Sequence, residues 1–171
     1  MTAFTTLTPS RLGRAAFIEA FGDVYEHSPW VAAAAFDTAQ GPERDDIESL
    51  HRHMSHALQC ASHERQLALI NAHPDLAGRA AVAGELTAAS TREQAGAGIH
   101  ECTPEEFARF TELNAAYKAR FGFPFIMAVK GSNRQQILAA FEQRIQHSLE
   151  AELRCALAEI DKIALFRLQA L

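Results

Sequence analysis

The chain has 171 residues, 48% of them hydrophobic, and a formal net charge of −5 without any basic run. That length is enough to bury one core without disulfides or metal, and the acidic balance argues against a nucleic-acid groove or an anionic membrane surface. The three cysteines (Cys60, Cys102 and Cys155) are scattered with no CxxC, so neither a thiolate zinc site nor a disulfide framework is indicated, which fits a reducing, cytoplasmic setting. No stretch approaches the roughly 18 apolar residues of a membrane span. The N-terminal residues lack the basic start and apolar core of a signal peptide.

Helical signals dominate. Pro9 and Ser10 open a first helix that the pattern carries to about Gly22. Ser28 as N-cap with Pro29 in the first turn opens a second, from Trp30 to about Thr38. A third places Ile47, Leu50, Met54, Ala57, Leu58 and Ala61 on one face. A fourth runs from His63 to Ala72, and a fifth is expected from Asp75 to near Gly84. Ser90-x-x-Glu93 and Thr103-Pro104-x-Glu106 both read as capping boxes. The second opens an amphipathic helix with Phe107, Phe110, Leu113, Asn114, Tyr117 and Phe121 on its stripe, stopped by Gly122. Residues 123–129 (FPFIMAV) are the one strand-like run, and because they hold a proline we expect an extended segment buried among helices. After the turn at 130–133 come C-terminal helices with Ile137, Leu138, Phe141 and Ile145, then Leu149, Leu153, Ala156, Leu157, Ile160, Ile163 and Ala164, on their apolar faces. The expectation is an all-α fold: a single-domain helical bundle spanning 1–171 with one short extended segment.

His73 ends the apolar run of the fourth helix and is followed at once by Pro74. Proline disfavours helical geometry in the residue before it, so His73 belongs at a helix-to-loop break. Histidine is also the side chain that titrates near neutrality. Three other constellations compete. On the third helix, His51, His53 and His56 hint at a metal-dependent amidohydrolase, but residues two apart on a helix point to different faces, so only His53 and His56 can act together. Cys60 with His63 could be a nucleophile and its base, although nothing activates the thiol and a buried structural cysteine is the commoner case. A plain helical interaction module is the third alternative. The Ser90–Gln94 helix start could cap itself or present N–H groups to an anion, with Glu93 and Gln94 facing a urea-like group. The extended backbone after Gly122 has polar groups that no helix ladder uses, and a small polar ligand could satisfy them.

Several stretches, in this order, resemble the 2-oxo-4-hydroxy-4-carboxy-5-ureidoimidazoline (OHCU) decarboxylase family of the urate-to-allantoin pathway. They are Glu26-His27-Ser28-Pro29-Trp30-Val31-Ala32, HPDLAG at 73–78, and LT-x-x-S-x-x-EQ from Leu86 to Gln94. Leu113-Asn114-x-x-Tyr117 leads into FGFPF at 121–125, then come Val129-Lys130-Gly131, Lys162-Ile163 and Arg167-Leu168. The resemblance implies an all-helical carboxy-lyase that needs no cofactor or metal, commonly a homodimer, making (S)-allantoin and CO₂ from OHCU. It implies His73 as the catalytic histidine with Glu93 as its partner carboxylate. It implies substrate contacts from Pro74, from Ser90, Thr91, Arg92, Glu93 and Gln94, and from Phe125, Ile126, Met127, Ala128 and Val129. Arg167 matches the family's distal arginine, with Arg144 as the competing candidate. The peroxisomal signal of some members is missing, so the expected setting is cytoplasmic, with neither nucleic acid nor membrane as partner.

Overall fold

A computed structural model describes residues 2–78 and 85–171. The fold is all-α. Among the described residues there is no strand, only an isolated bridge between Ala3 and Asp46. The helices are α1 (Arg14–Phe21), α2 (Pro29–Thr38), α3 (Ile47–Gln59), α4 (His63–Ala72), α5 (Ala88–Gly96), α6 (Pro104–Phe121), α7 (Arg134–Arg144) and α8 (Leu149–Leu168). They fall into two compact units, Met1–Ala72 with Ile160–Leu171, and His73–Glu159.

In the first unit, α2 packs on both α1 and α3. Its core gathers Phe17, Phe21, Val31, Ala35, Leu50, Met54, Leu58 and Ile70, all buried. Phe17 stacks at a tilt on Phe21 with ring centroids 4.6 Å apart. The first helix is shorter than the sequence pattern suggests. Pro9–Arg11 form a single 3-10 turn, Leu12 is extended, and the α-helix starts only after Gly13. The glycine interrupts the run because its backbone freedom makes continued helix costly. Ser28 does sit at the N-cap of α2, but it makes no side-chain cap bond. Its hydroxyl donates instead to the Glu26 carbonyl at 3.0 Å, inside a turn where His27 takes the left-handed φ of 47°.

In the second unit, α6 and α7 pack together around Phe110, Tyr117, Phe121, Phe123, Phe125, Ile137 and Phe141. Thr103 and Glu106 form the expected capping box at the start of α6. Gly122 ends that helix at φ 79°, a left-handed C-cap that glycine adopts without steric penalty. Phe107 is the exception to the apolar stripe: it lies in the first turn and is 37% exposed. Residues 123–129 lie outside any helix or ladder, as the sequence implies. Phe125 is the anchor of this segment. Its ring stacks on Phe141 with centroids 3.7 Å apart and lies under the Arg144 guanidinium at 4.3 Å. Burying such a ring is worth about 2–3 kcal/mol.

Candidate functional site

His73 is the first residue of the second unit and follows directly on the last residue of α4. Its exposure is 8%. The fifth helix expected from Asp75 does not begin there. Residues 75–78 form a turn, and the remainder of that expectation, 79–84, lies outside the described residues. Two residues of this turn depart from helical geometry. Ala77 has φ 52°, which costs a residue with a Cβ about 1–2 kcal/mol. At Gly78 a Cβ would come within 2.7 Å of the Asp75 Cβ, so the close return of the chain there requires glycine.

Among the described residues, three side chains fasten this turn. Gln94 Oε1 accepts from the Ala77 amide at 3.0 Å, and its Nε2 donates to the Asp75 carbonyl at 3.2 Å. Asn114 Nδ2 donates to the Leu76 carbonyl at 2.8 Å. Lys118 pairs with the Asp75 carboxylate at 2.6 Å. The amides come from α5 and α6, and both are buried. Asn114 Oδ1 is buried without a hydrogen-bond partner among the described residues, and leaving such an acceptor unmet costs about 1–3 kcal/mol.

The Ser90–Glu93 capping box is not formed. Helix α5 starts at Ala88 and its cap is Thr87, whose side chain accepts from the Ser90 amide at 3.2 Å. Ala88 and Ala89 are the reason: alanine is the strongest helix former, so the helix extends back to the next residue able to cap it. Ser90 and Glu93 thus lie within the helix, and the N–H groups free for an anion belong to an earlier turn. Periodicity then sorts the segment. Ser90, Gln94 and Ala97 are buried on one face, with Glu93 half-buried beside them. Thr91 and Arg92 are exposed, and the Thr91 hydroxyl folds back on the Thr87 carbonyl.

Of the extended segment, Phe125, Ile126 and Val129 are buried, while Met127 and Ala128 are half-buried. The Phe125 ring belongs to the core, which leaves its backbone as the part able to meet a ligand. Some of the backbone groups expected to need a ligand already have protein partners. The Ile126 carbonyl accepts from Arg144 Nη1 at 2.7 Å, the Ala128 amide donates to Glu159 at 2.8 Å, and the Val129 carbonyl accepts from Ser132 N. Met127 has no backbone hydrogen bond among the described residues.

The two arginines have different settings. Arg144 is clamped in the second unit by Glu152, which is completely buried: Nη2 reaches Glu152 Oε2 at 2.9 Å and Nε reaches it at 3.1 Å. The Tyr117 hydroxyl donates to the same oxygen, and His147 Nδ1 lies 2.9 Å from Oε1. Burial pushes the Glu152 carboxyl up, but hydrogen bonds from Arg144 and Tyr117, with the Arg144 charge, outweigh it and hold the group below the usual carboxylate range. Burial beside that carboxylate raises the Tyr117 phenol far above its ordinary value. Arg167 sits in the first unit, where Nη1 reaches buried Glu26 Oε2 at 2.8 Å and the Asp23 carbonyl at 3.2 Å.

The competing constellations separate cleanly. His51 Nε2 lies 2.8 Å from the Asp161 carbonyl, whereas His53 and His56 line a groove of about 330 Å³ with Trp30, Cys60 and Arg65. The three histidines therefore do not converge, and among the described residues no group of three His, Cys, Asp or Glu side chains is placed to hold a metal ion. Cys60 is exposed rather than buried. Its sulfur neighbours His56, at 3.5 Å, instead of His63, because four residues along a helix bring side chains onto one face.

Sequence reasoning missed Asn114, Glu152 and Glu159 as parts of this framework. A signal existed for Asn114, the one polar residue on an otherwise apolar stripe. None existed for Glu152, an ordinary acidic position in the first turn of a long helix.

Comparison with known proteins bears on the same residues. The family model for OHCU decarboxylase matches residues 10–169. The 2-oxo-4-hydroxy-4-carboxy-5-ureidoimidazoline decarboxylase of Haloferax volcanii is 43% identical over 168 residues, covering 98% of this chain and 96% of that protein. A crystal structure of (S)-allantoin synthase superposes with a TM-score of 0.76 at 32% identity over 95% of this chain, which spans about half (51%) of that longer one. A crystal structure of OHCU decarboxylase in the presence of (S)-allantoin matches the fold, with a TM-score of 0.64 at 22% identity over 81% of this chain and 87% of that one. The family match runs through the His73 turn, the buried face of α5 and the extended segment alike, and the chain belongs to the OHCU decarboxylase family.

Proposed function

We propose that this protein decarboxylates OHCU to (S)-allantoin and CO₂ in urate degradation. The observation that carries the reading is the family match over residues 10–169, which includes every proposed site residue. OHCU carries a hydroxyl and a carboxylate on one ring carbon, next to a carbon–nitrogen double bond that bears the ureido group. When the carbon–carboxylate bond breaks, its electron pair forms a new carbon–carbon double bond and the C=N electrons move to nitrogen, which takes up a proton. The substrate thus provides its own electron sink, the task for which other decarboxylases recruit a cofactor. The enol-like product then gains a proton on the ureido-bearing carbon, whose face sets the S configuration, and loses the hydroxyl proton.

In this reading His73 hydrogen-bonds the hydroxyl and fixes the carboxylate perpendicular to the ring, or takes the hydroxyl proton. Glu93 orients His73 or the ureido N–H groups. Pro74, Ser90, Thr91, Arg92, Gln94, the backbone from Phe125 to Val129 and Arg167 hold the ring, urea and carboxylate. Two features support this division of labour. The turn after His73 is rigidly fastened, which suits catalysis by positioning, and Met127 carries backbone donor and acceptor groups not used by the described residues. Exposed Thr91 and Arg92 are the members least supported by burial. The same family reading makes the enzyme a homodimer, which sedimentation of the purified protein tests. Among the described residues no helix is long and apolar enough to cross a membrane.

The decisive assay is His73→Asn with freshly prepared OHCU, followed by circular dichroism for (S)-allantoin. Turnover should collapse in a folded protein. Wild-type turnover by the variant would remove His73 from the chemistry.

A further inference from the structure

We infer that Asn114 is a positioning residue for His73, acting through the Leu76 carbonyl; the inference rests on the reading of His73 above. Asn114 lies on α6, is 5% exposed and donates through Nδ2 to the Leu76 carbonyl at 2.8 Å. Reversing the amide would set oxygen against oxygen there, so the orientation is fixed by its partner. The consequence is a buried Oδ1 with no partner among the described residues. Native structures rarely keep such an atom without a reason. An apolar residue in this place would remove the unmet Oδ1, but it would leave the buried Leu76 carbonyl without its donor and could not hold Leu76.

What Asn114 holds is a backbone that would not keep its shape alone. Ala77 is left-handed at φ 52°, and Gly78 returns so closely on Asp75 that no Cβ fits. The bond to Leu76 and the Gln94 bonds to Asp75 and Ala77 grip three consecutive residues of this turn from two helices. The grip begins two residues after His73, with the rigid Pro74 ring between. Displacement of the turn is therefore passed to the imidazole rather than absorbed by the chain. Sub-ångström placement of an acid–base group is worth large factors in rate, so the unmet acceptor is retained for position.

The test compares Asn114→Ala and Asn114→Asp with wild type, measuring melting temperature, kcat and KM, together with the His73 ring resonances by NMR in the absence of substrate. Both variants should stay folded, with kcat lowered about 10- to 100-fold, KM changed less than threefold and the His73 signals displaced. The buried carboxyl introduced by Asn114→Asp can donate to Leu76 only when protonated, so the activity of that variant should recover as pH falls, relative to wild type. A folded variant with wild-type kcat and unmoved His73 signals would overturn the inference. Should Asn114→Ala fail to fold, the acid recovery of Asn114→Asp decides, and its absence counts against the role. Failure of wild type itself to consume OHCU would instead defeat the proposed function, and the ring resonances would still report whether Asn114 sets the position of His73.

Discussion

Removing Glu152 should cost the protein far more than its place on a helix suggests. In Glu152→Ala the Arg144 cation remains, with a side chain only 10% exposed, while its counter-charge, which is completely buried, is gone. The Tyr117 hydroxyl and Arg144 Nε lose the same acceptor. Orphaning one half of a buried ion pair costs about 3–5 kcal/mol, against roughly 0–1 kcal/mol for a pair on the surface. For a chain of this size each kcal/mol is worth about 2–4 °C of melting temperature, so the expected fall is about 6–20 °C by differential scanning calorimetry. Glu152→Gln keeps one acceptor and should fall between the two. The penalty also depends on pH. The folded Glu152 carboxyl titrates below its ordinary value, so its contribution is complete above the unfolded carboxylate pKa and is lost as pH falls through the lower folded one. The gap between wild type and variant should therefore narrow in acid. A fall below about 4 °C at neutral pH would put the pair in the class of exposed ones and refute the argument. Because Arg144 also holds the Ile126 carbonyl, the variant should lose activity at temperatures where it is still folded.

Two substitutions on α5 separate capping from chemistry. Thr87→Ala should lower stability by about 0.5–2 kcal/mol in urea titration with little change in kcat, and Glu93→Gln should stay folded while turnover collapses. An unstable Glu93→Gln with full activity would return Glu93 to a structural role. Arg167→Lys keeps a cation beside buried Glu26 but loses the planar fork, so KM for OHCU should rise about tenfold; an unchanged KM would leave Arg167 with only its ion pair.

How much the sequence disclosed depended on the range of the interaction behind each feature. The second, third and fourth helices and the Thr103 capping box were legible because their signals are local: a proline in the first turn, a 3.6-residue stripe, an oxygen three residues from the amide it meets. The Ser90–Glu93 box carried the same local signal and was wrong, since two alanines and another capping residue stood just upstream and a spacing rule does not weigh one cap against another. The missing helix start at Asp75 shows the opposite case. Nothing in Asp75-Leu76-Ala77-Gly78 forbids a helix, and the turn persists because Gln94 and Asn114, 19 and 38 residues away from their carbonyl partners, hold it. The extended segment at 123–129 combines both. Its proline announced that no ladder would form, but which of its polar groups have protein partners was decided by Arg144 and Glu159, residues of ordinary helical sequence. In the proposed reading, which works by placing the substrate, such remote contacts belong to the site as much as the motif residues do. The family's motif residues are therefore recognisable one by one in the sequence, while what keeps His73 in place becomes visible only where α5 and α6 close on the turn behind it.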